Sequence, residues 1–305
     1  MNARVVEILG SYNQQLKSYD ENGFLVFRNT ISESLINEMK AFITQKEAEK
    51  VKTFTLLSKR RAIGVHDSLI ARKILQEFCT KNKEILIEIL GSSSLVTDIS
   101  VLISEAKNDA QMLHTDSPCR VSEECNLIVP LESLNADNGP TEYVPGSHWR
   151  KKNKVYQHTV LRSFMQGKKE YVVWSLKSRS NFNLAVAKEG KVMFLKLMAY
   201  PVFRLIYLLK LGYSRIFHQQ YVVKDEDIKQ FIADKGDALL YSSSLIHRGG
   251  KNSTKNNRYV LSALIKENRN NRKANVKYQE DDHNDYFTTS TKNCGTLHDY
   301  LYGTL

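Results

Sequence analysis

Cysteine is scarce in this chain: Cys79, Cys119, Cys125 and Cys294 are the four among 305 residues. None sits in a C-x-x-C pair and no zinc-finger spacing occurs, so a disulfide scaffold or a small zinc module is excluded. Cys119 and Cys125 are near enough in sequence to pair, but nothing else marks a secreted protein, and all four read as free thiols in a reducing compartment. Long apolar runs are also missing. The opening MNARVVEILGSYNQQ has neither the basic start nor the apolar stretch of a signal peptide. The most apolar segment, KVMFLKLMAYPVFRLIYLLKLGY, is broken by Lys196, Pro201 and Arg204, short of the about 20 apolar residues that span a bilayer. A cytoplasmic protein is therefore expected. Acidic residues are the minority charge, 33 Asp and Glu against 44 Lys and Arg, a formal net charge of +11. That excess favours anionic partners such as phosphorylated substrates or acidic lipid surfaces. No nucleic-acid-binding motif accompanies it, so no nucleic-acid partner is expected.

What is present is ordinary globular material, 42% hydrophobic and 25% charged, enough to bury a large core without staples. The chain reads as a single domain with no internal repeat. Residues 1–94 read as a helical layer. YDENGFLVFRNTISESLINEMKAFITQKEAEK is strand, turn and helix, with Ser32 or Ser34 as cap. LIARKILQEFCTKNKEILIEIL repeats apolar positions at helical spacing and stops at Gly91. From about residue 95 the texture changes. LVTDISVLISEA, ECNLIVPLESL, TEYVPGS, GDALLYSSSLIHRGG and NNRYVLSALIKE are short β-rich runs cut by Gly, Pro and Asn. Such a series predicts a sandwich or jelly-roll barrel over residues 95–267, interrupted by an insertion over 150–235. Residues 268–305 read as a polar C-terminal arm.

In AQMLHTDSPC, one residue separates His114 from Asp116. On a strand that spacing points both side chains to one face. Two groups that resist burial then share a metal ion or end in solvent, and the pair alone does not choose. His247 closes another β-like run, and Arg258 follows eleven residues later in NNRYVLSALI. Two histidines and one carboxylate with open positions are the ligand set of non-heme Fe(II) oxygenases. A bidentate 2-oxo acid fills two open positions, and its far carboxylate needs a fixed cation, which a guanidinium on a neighbouring strand supplies.

The order of YDENGFLVFRNTISESLI, QMLHTD, NLIVPLESLNADNGPTEYVPGSHW, GDALLYSSSLIHRGGKNS and NNR resembles the successive motifs of the phytanoyl-CoA dioxygenase family of Fe(II)/2-oxoglutarate oxygenases. The resemblance implies a double-stranded β-helix, or jelly-roll, core of mainly β character with an N-terminal helical layer and a helical insertion. It implies that His114, Asp116 and His247 bind Fe(II), that Arg258 binds 2-oxoglutarate, and that Asn126 faces the co-substrate. It implies O2 as oxidant and hydroxylation of an aliphatic C–H bond in a small-molecule or lipid-like substrate, with release of succinate and CO2. Desaturation, cyclisation or epimerisation by the same chemistry is the alternative, and a vestigial ligand-binding barrel is the non-enzymatic one. Two departures stand out. Relatives often carry Ser or Thr two residues after the distal His, where this chain has Gly249. The insertion is long, so better-known members do not indicate the substrate.

The remaining candidates have plainer readings. His148 is expected to tie a turn, His66 to lie at the surface, and Arg248 to meet solvent. His158, His218, His283 and His298 have no partner at ligand spacing. Lys59, Arg60 and Arg61 read as a solvated cluster, although similar proteins sometimes send a basic residue from this region to the active site. Tyr143 reads as a pocket or core aromatic. Residues 191–217 form a basic amphipathic segment with Lys196, Arg204 and Lys210 on one arc. A lid over an apolar or anionic substrate is favoured there, with peripheral membrane contact as the alternative.

Overall fold

The computed structural model describes residues 12–51, 53–56, 60–117, 124–149, 155–162, 169–175, 220–266 and 294–302. The 191–217 segment, Lys59, Cys119, His218 and His283 lie outside the described residues. Helix α1 (Tyr12–Asn22) leads into β1 (Phe24–Phe27), α2 (Glu33–Ala48), β2 (Phe54–Leu56), β3 (Arg60–Gly64), α3 (Leu69–Lys81) and α4 (Lys83–Leu90). Strands β4 (Leu95–Ser104), β5 (Glu124–Pro130), β6 (Thr141–Tyr143), β7 (Val155–Arg162), β8 (Lys169–Ser175), β9 (Gln220–Lys224), β10 (Lys229–Gln230), β11 (Ala238–Ser242), β12 (His247–Gly249) and β13 (Arg258–Lys266) follow. The last helix is α5 (Leu297–Tyr302).

Seven strands form one antiparallel sheet in the order β1-β11-β5-β13-β4-β3-β2, and β10-β6-β12 form a smaller one. Period-two alternation divides the large sheet into two faces. Ile99, Val101 and Ile103 of β4, Leu127 and Val129 of β5, and Leu261, Ala263 and Ile265 of β13 pack against the helices. There they meet Ile36, Met39 and Ile43 of α2 and Ile74, Leu75 and Phe78 of α3. The opposite face carries Leu102, Ile128, Leu239, Tyr241 and Val260, which meet Tyr143, Phe231 and Leu245 on the side of the smaller sheet. Two facing sheets with helices on one outer face are the jelly-roll architecture expected. Helix α3 starts where Ser68 accepts from the Ala71 amide, and α4 stops at Gly91 with φ +76°.

Three features go beyond the sequence reading. In the N-terminal stretch the sequence predicts β1 as a strand but not β2 and β3, and all three join the large sheet: β1 adds to β11, and β2 and β3 extend it beyond β4. The described part of the insertion carries β7, β8 and β9 as an antiparallel sheet, and the segment read as a helix, 191–217, lies outside the described residues. The chain end is a packed element, because Cys294, Leu297, Tyr300 and Leu301 are buried in the main core and Thr296 bridges to Leu95. Leu297, Tyr300 and Leu301 stand at i, i+3 and i+4, the spacing that buries one helical face. Cys79 and Cys125 are also buried, and neither they nor Cys294 form a disulfide. No helix among the described residues is long and apolar enough to cross a membrane.

Candidate metal and co-substrate site

His114 and His247 are brought together by backbone pairing. Each accepts the other's amide, at 3.0 and 2.9 Å, in an antiparallel bridge. The Asp116 amide donates to the Ser243 carbonyl at 2.9 Å. These bonds fix the H-x-D segment against the start of β12. The Asp116 carboxylate then lies between the imidazoles, with Oδ1 3.6 Å from His114 Nε2 and Oδ2 3.4 Å from His247 Nε2. One donor atom from each residue falls within 4.8 Å of the others. Metal–ligand bonds of about 2.1 Å at right angles place donors about 3 Å apart, so small adjustments close this set on one ion.

The hydrogen bonds behind the imidazoles orient them. His114 Nδ1 is 2.8 Å from the Met112 carbonyl, and His247 Nδ1 is 3.0 Å from the Leu245 carbonyl. A carbonyl only accepts, so each Nδ1 carries the proton and each Nε2 presents a lone pair towards Asp116. Burial, then the neighbouring His247, push the His114 imidazole down to about 4, which keeps it neutral as a ligand must be. The Tyr241 ring packs tilted against that of His247, their centres 4.8 Å apart, and burial followed by the Asp116 charge holds its hydroxyl well above the usual phenol range.

Asn126 sits beside Tyr241 in the β5–β11 register. Its amide donates to Asp116 Oδ2 at 2.9 Å and to Ser243 Oγ at 3.0 Å. Asn126 thus orients the carboxylate, a role that the resemblance did not imply.

Arg258 opens β13 and is buried, directly across from Ser104 of β4; on the other side of β4, Ser104 faces Arg60 of β3. Two guanidiniums and a hydroxyl therefore stand in one row across three strands. Arg60 Nε, Arg258 Nε and Ser104 Oγ are buried and find no hydrogen-bond partner among the described residues. Burial, then the charge of Arg258, push Arg60 down to about 9, and burial pushes Arg258 down to about 10. Buried like charges with orphaned donors are costly unless an anion joins them. The row fits a carboxylate on that ground. Arg60 is not the solvated residue its sequence context suggested. It donates to the carbonyls of Gly249 at 3.1 Å and Gly250 at 2.7 Å. A Cβ at Gly249 would fall on Arg60 Nη1, so the glycine leaves room for the arginine.

Arg248 is also buried rather than solvated. Its Nε donates to Glu142 at 2.6 Å, and its guanidinium lies 4.8 Å from the centre of the Tyr171 ring, tying the insertion to the small sheet behind His247. His148 Nε2 meets the Asp20 carbonyl at 2.9 Å. Arg61 pairs with Glu47 and Glu105. Tyr143 is a core residue packed on Phe24.

A sequence model of the phytanoyl-CoA dioxygenase (PhyH) family matches residues 19–260. The chain belongs to the phytanoyl-CoA dioxygenase family. As a member it is an enzyme of the iron- and 2-oxoglutarate-dependent oxygenase type, with O2 as oxidant. Among solved structures, the non-heme alpha ketoglutarate dependent carbocyclase SnoK from nogalamycin biosynthesis is 13% identical with a TM-score of 0.51, covering 86% of this chain and 85% of its own. The epimerase SnoN, in complex with Fe3+, alpha ketoglutarate and nogalamycin RO, is 14% identical with a TM-score of 0.52 and 84% coverage of each chain. HygX from Streptomyces hygroscopicus, with nickel and 2-oxoglutarate bound, is 12% identical with a TM-score of 0.52, covering 84% and 87%. These likenesses place the phytanoyl-CoA dioxygenase relative in the jelly-roll fold. No curated protein matches the chain in sequence.

Proposed function

We propose that His114, Asp116 and His247 hold Fe(II), that Arg258 holds the far carboxylate of 2-oxoglutarate with Arg60 and Ser104, and that the enzyme hydroxylates an aliphatic C–H bond of a small molecule. The observation that carries this reading is the buried row of Arg60, Ser104 and Arg258, each with one unpartnered polar atom, beside a compact His-Asp-His set. An iron centre of this kind, once loaded, supplies O2 activation coupled to decarboxylation of the 2-oxo acid to succinate and CO2. The chain's own residues do the rest. The Met112 and Leu245 carbonyls fix the tautomers that present both Nε2 atoms. Asn126 holds the carboxylate between them. Two guanidiniums, on the strands either side of β4, neutralise the co-substrate, and the apolar wall of Leu102, Ile128 and Val260 limits water around it.

A second outcome, cyclisation or epimerisation, draws support from the carbocyclase and epimerase among the similar structures. A vestigial barrel is disfavoured, because an idle site has no reason to keep two guanidiniums buried close together, each with its Nε unpartnered. Single domain organisation over residues 1–305 belongs to this reading as well. The test is incubation of purified protein with Fe(II), 2-oxoglutarate and O2, with succinate as readout. Metal- and 2-oxoglutarate-dependent succinate release is expected, and its absence overturns the proposal. Metabolites of the source that gain about 16 mass units, rather than lose about 2 or keep their mass, distinguish hydroxylation from the alternatives.

A further inference from the structure

The inner wall of the barrel carries opposite charges at its two ends, and the carboxylate at the end away from Arg258 has no part in the chemistry above. Arg258 and Leu264 lie on the same face of β13, about 20 Å apart along the strand. Leu264 faces Asp98 of β4 on one side and Asn126 of β5 on the other. Asp98 is therefore two strands, about 10 Å, from the residue that holds Asp116. This end of the wall is the less buried one. Ser262, Leu264 and Lys266 are half-buried there, whereas Arg258 is buried.

Asp98 is half-buried and forms no ion pair among the described residues. Its Oδ1 accepts from Ser100 Oγ at 2.8 Å. Lys266 and His66 are near enough to be felt electrostatically, but Lys266 is paired with Glu124 at 3.1 Å and His66 with Asp67 at 3.0 Å. Burial pushes the Asp98 carboxyl up from its ordinary range despite those cations. A carboxylate drawn out of water without a cation of its own is costly, and a charged ligand group offsets that cost. We infer that Asp98 is a substrate anchor that receives an ammonium or other cationic nitrogen of a small-molecule substrate. Leu264 lies between it and Asn126, so the substrate joins a cationic end to an apolar body about 10 Å long. The two ends then sort the two ligands. The dianionic co-substrate is repelled by Asp98 and drawn to the guanidinium row, and a substrate anion is rejected at the Asp98 end.

This inference rests on the proposed function, so the test has two arms. In the first, 2-oxoglutarate is titrated calorimetrically into anaerobic Fe(II)-loaded protein. No binding would overturn the proposed function and the anchor with it. In the second, the protein saturated with Fe(II) and 2-oxoglutarate is titrated with hexylammonium, hexan-1-ol and hexanoate. The ammonium is expected to bind about tenfold or more tighter than either other probe. Asp98→Asn, which keeps the shape and an acceptor for Ser100, should abolish that preference and leave 2-oxoglutarate affinity unchanged. Equal binding of the three probes, or a preference retained in Asp98→Asn, overturns the anchor while the proposed function stands.

Discussion

A glycine and an arginine from distant parts of the chain share one small volume, and their dependence can be measured. Gly249→Ser would add a hydroxyl, but its Cβ would displace Arg60. The expected result is weaker 2-oxoglutarate binding in Gly249→Ser, and a smaller loss when Arg60→Ala is already present. Calorimetry on both singles and the double should show coupling of about 1 kcal/mol or more. Arg258→Ala removes the deeper guanidinium and should cost about 2–5 kcal/mol, roughly 30-fold or more in 2-oxoglutarate affinity, with metal content unchanged. Asn126→Ala should reverse that pattern, lowering iron affinity about 10- to 100-fold, as loss of a bond that orients a ligand does. Metal content after dialysis checks it. His114, Asp116 and His247 were legible as one candidate set from the order of their motifs, not from the His-x-Asp spacing alone, and the structure brings their donor atoms within 4.8 Å of one another. Arg60 was not, because three consecutive cations look solvated. Strand alternation places Arg60 inward and Arg61 outward, and the acceptors of Arg60 lie at Gly249 and Gly250, far along the chain.

Among the elements, the β-rich runs were readable from their alternation, and α2, α3 and α4 from helical spacing and caps. The short C-terminal helix was hidden by its polar approach, although Leu297, Tyr300 and Leu301 carry the pattern. Leu297 and Tyr300 are fully buried, and Tyr300 donates its hydroxyl to the Cys294 carbonyl at 3.0 Å. Leu297→Ala should therefore cost about 2–5 kcal/mol, the range for emptying a packed leucine site. Denaturant unfolding checks it, and a value near zero would mean that α5 does not close the core. Strand β1 was legible as a strand but not as a member of the large sheet, because its partner β11 lies beyond the insertion.

For the molecule as a whole, acid should act through the metal-free site. His114 is held down to about 4, against 6.5 for an unperturbed imidazole, so the folded state resists a proton that the unfolded chain accepts. That contribution to stability is complete above about 6.5 and is lost as pH falls towards 4. Thermal unfolding of the metal-stripped protein should drop across that window, more steeply than in His114→Ala. A final consequence concerns the order in which the chain is made. Strand β1 emerges early but is completed only by β11, since Phe24 meets Tyr241. The centre of the sheet, β13 between β4 and β5, arrives later still, and α5 after that. A ribosome-bound chain thus carries β4 and β5 with their shared neighbour absent, two unfilled edges open to other chains. Yield on expression should then depend more on the speed of synthesis and on chaperone supply than the stability of the finished barrel would suggest.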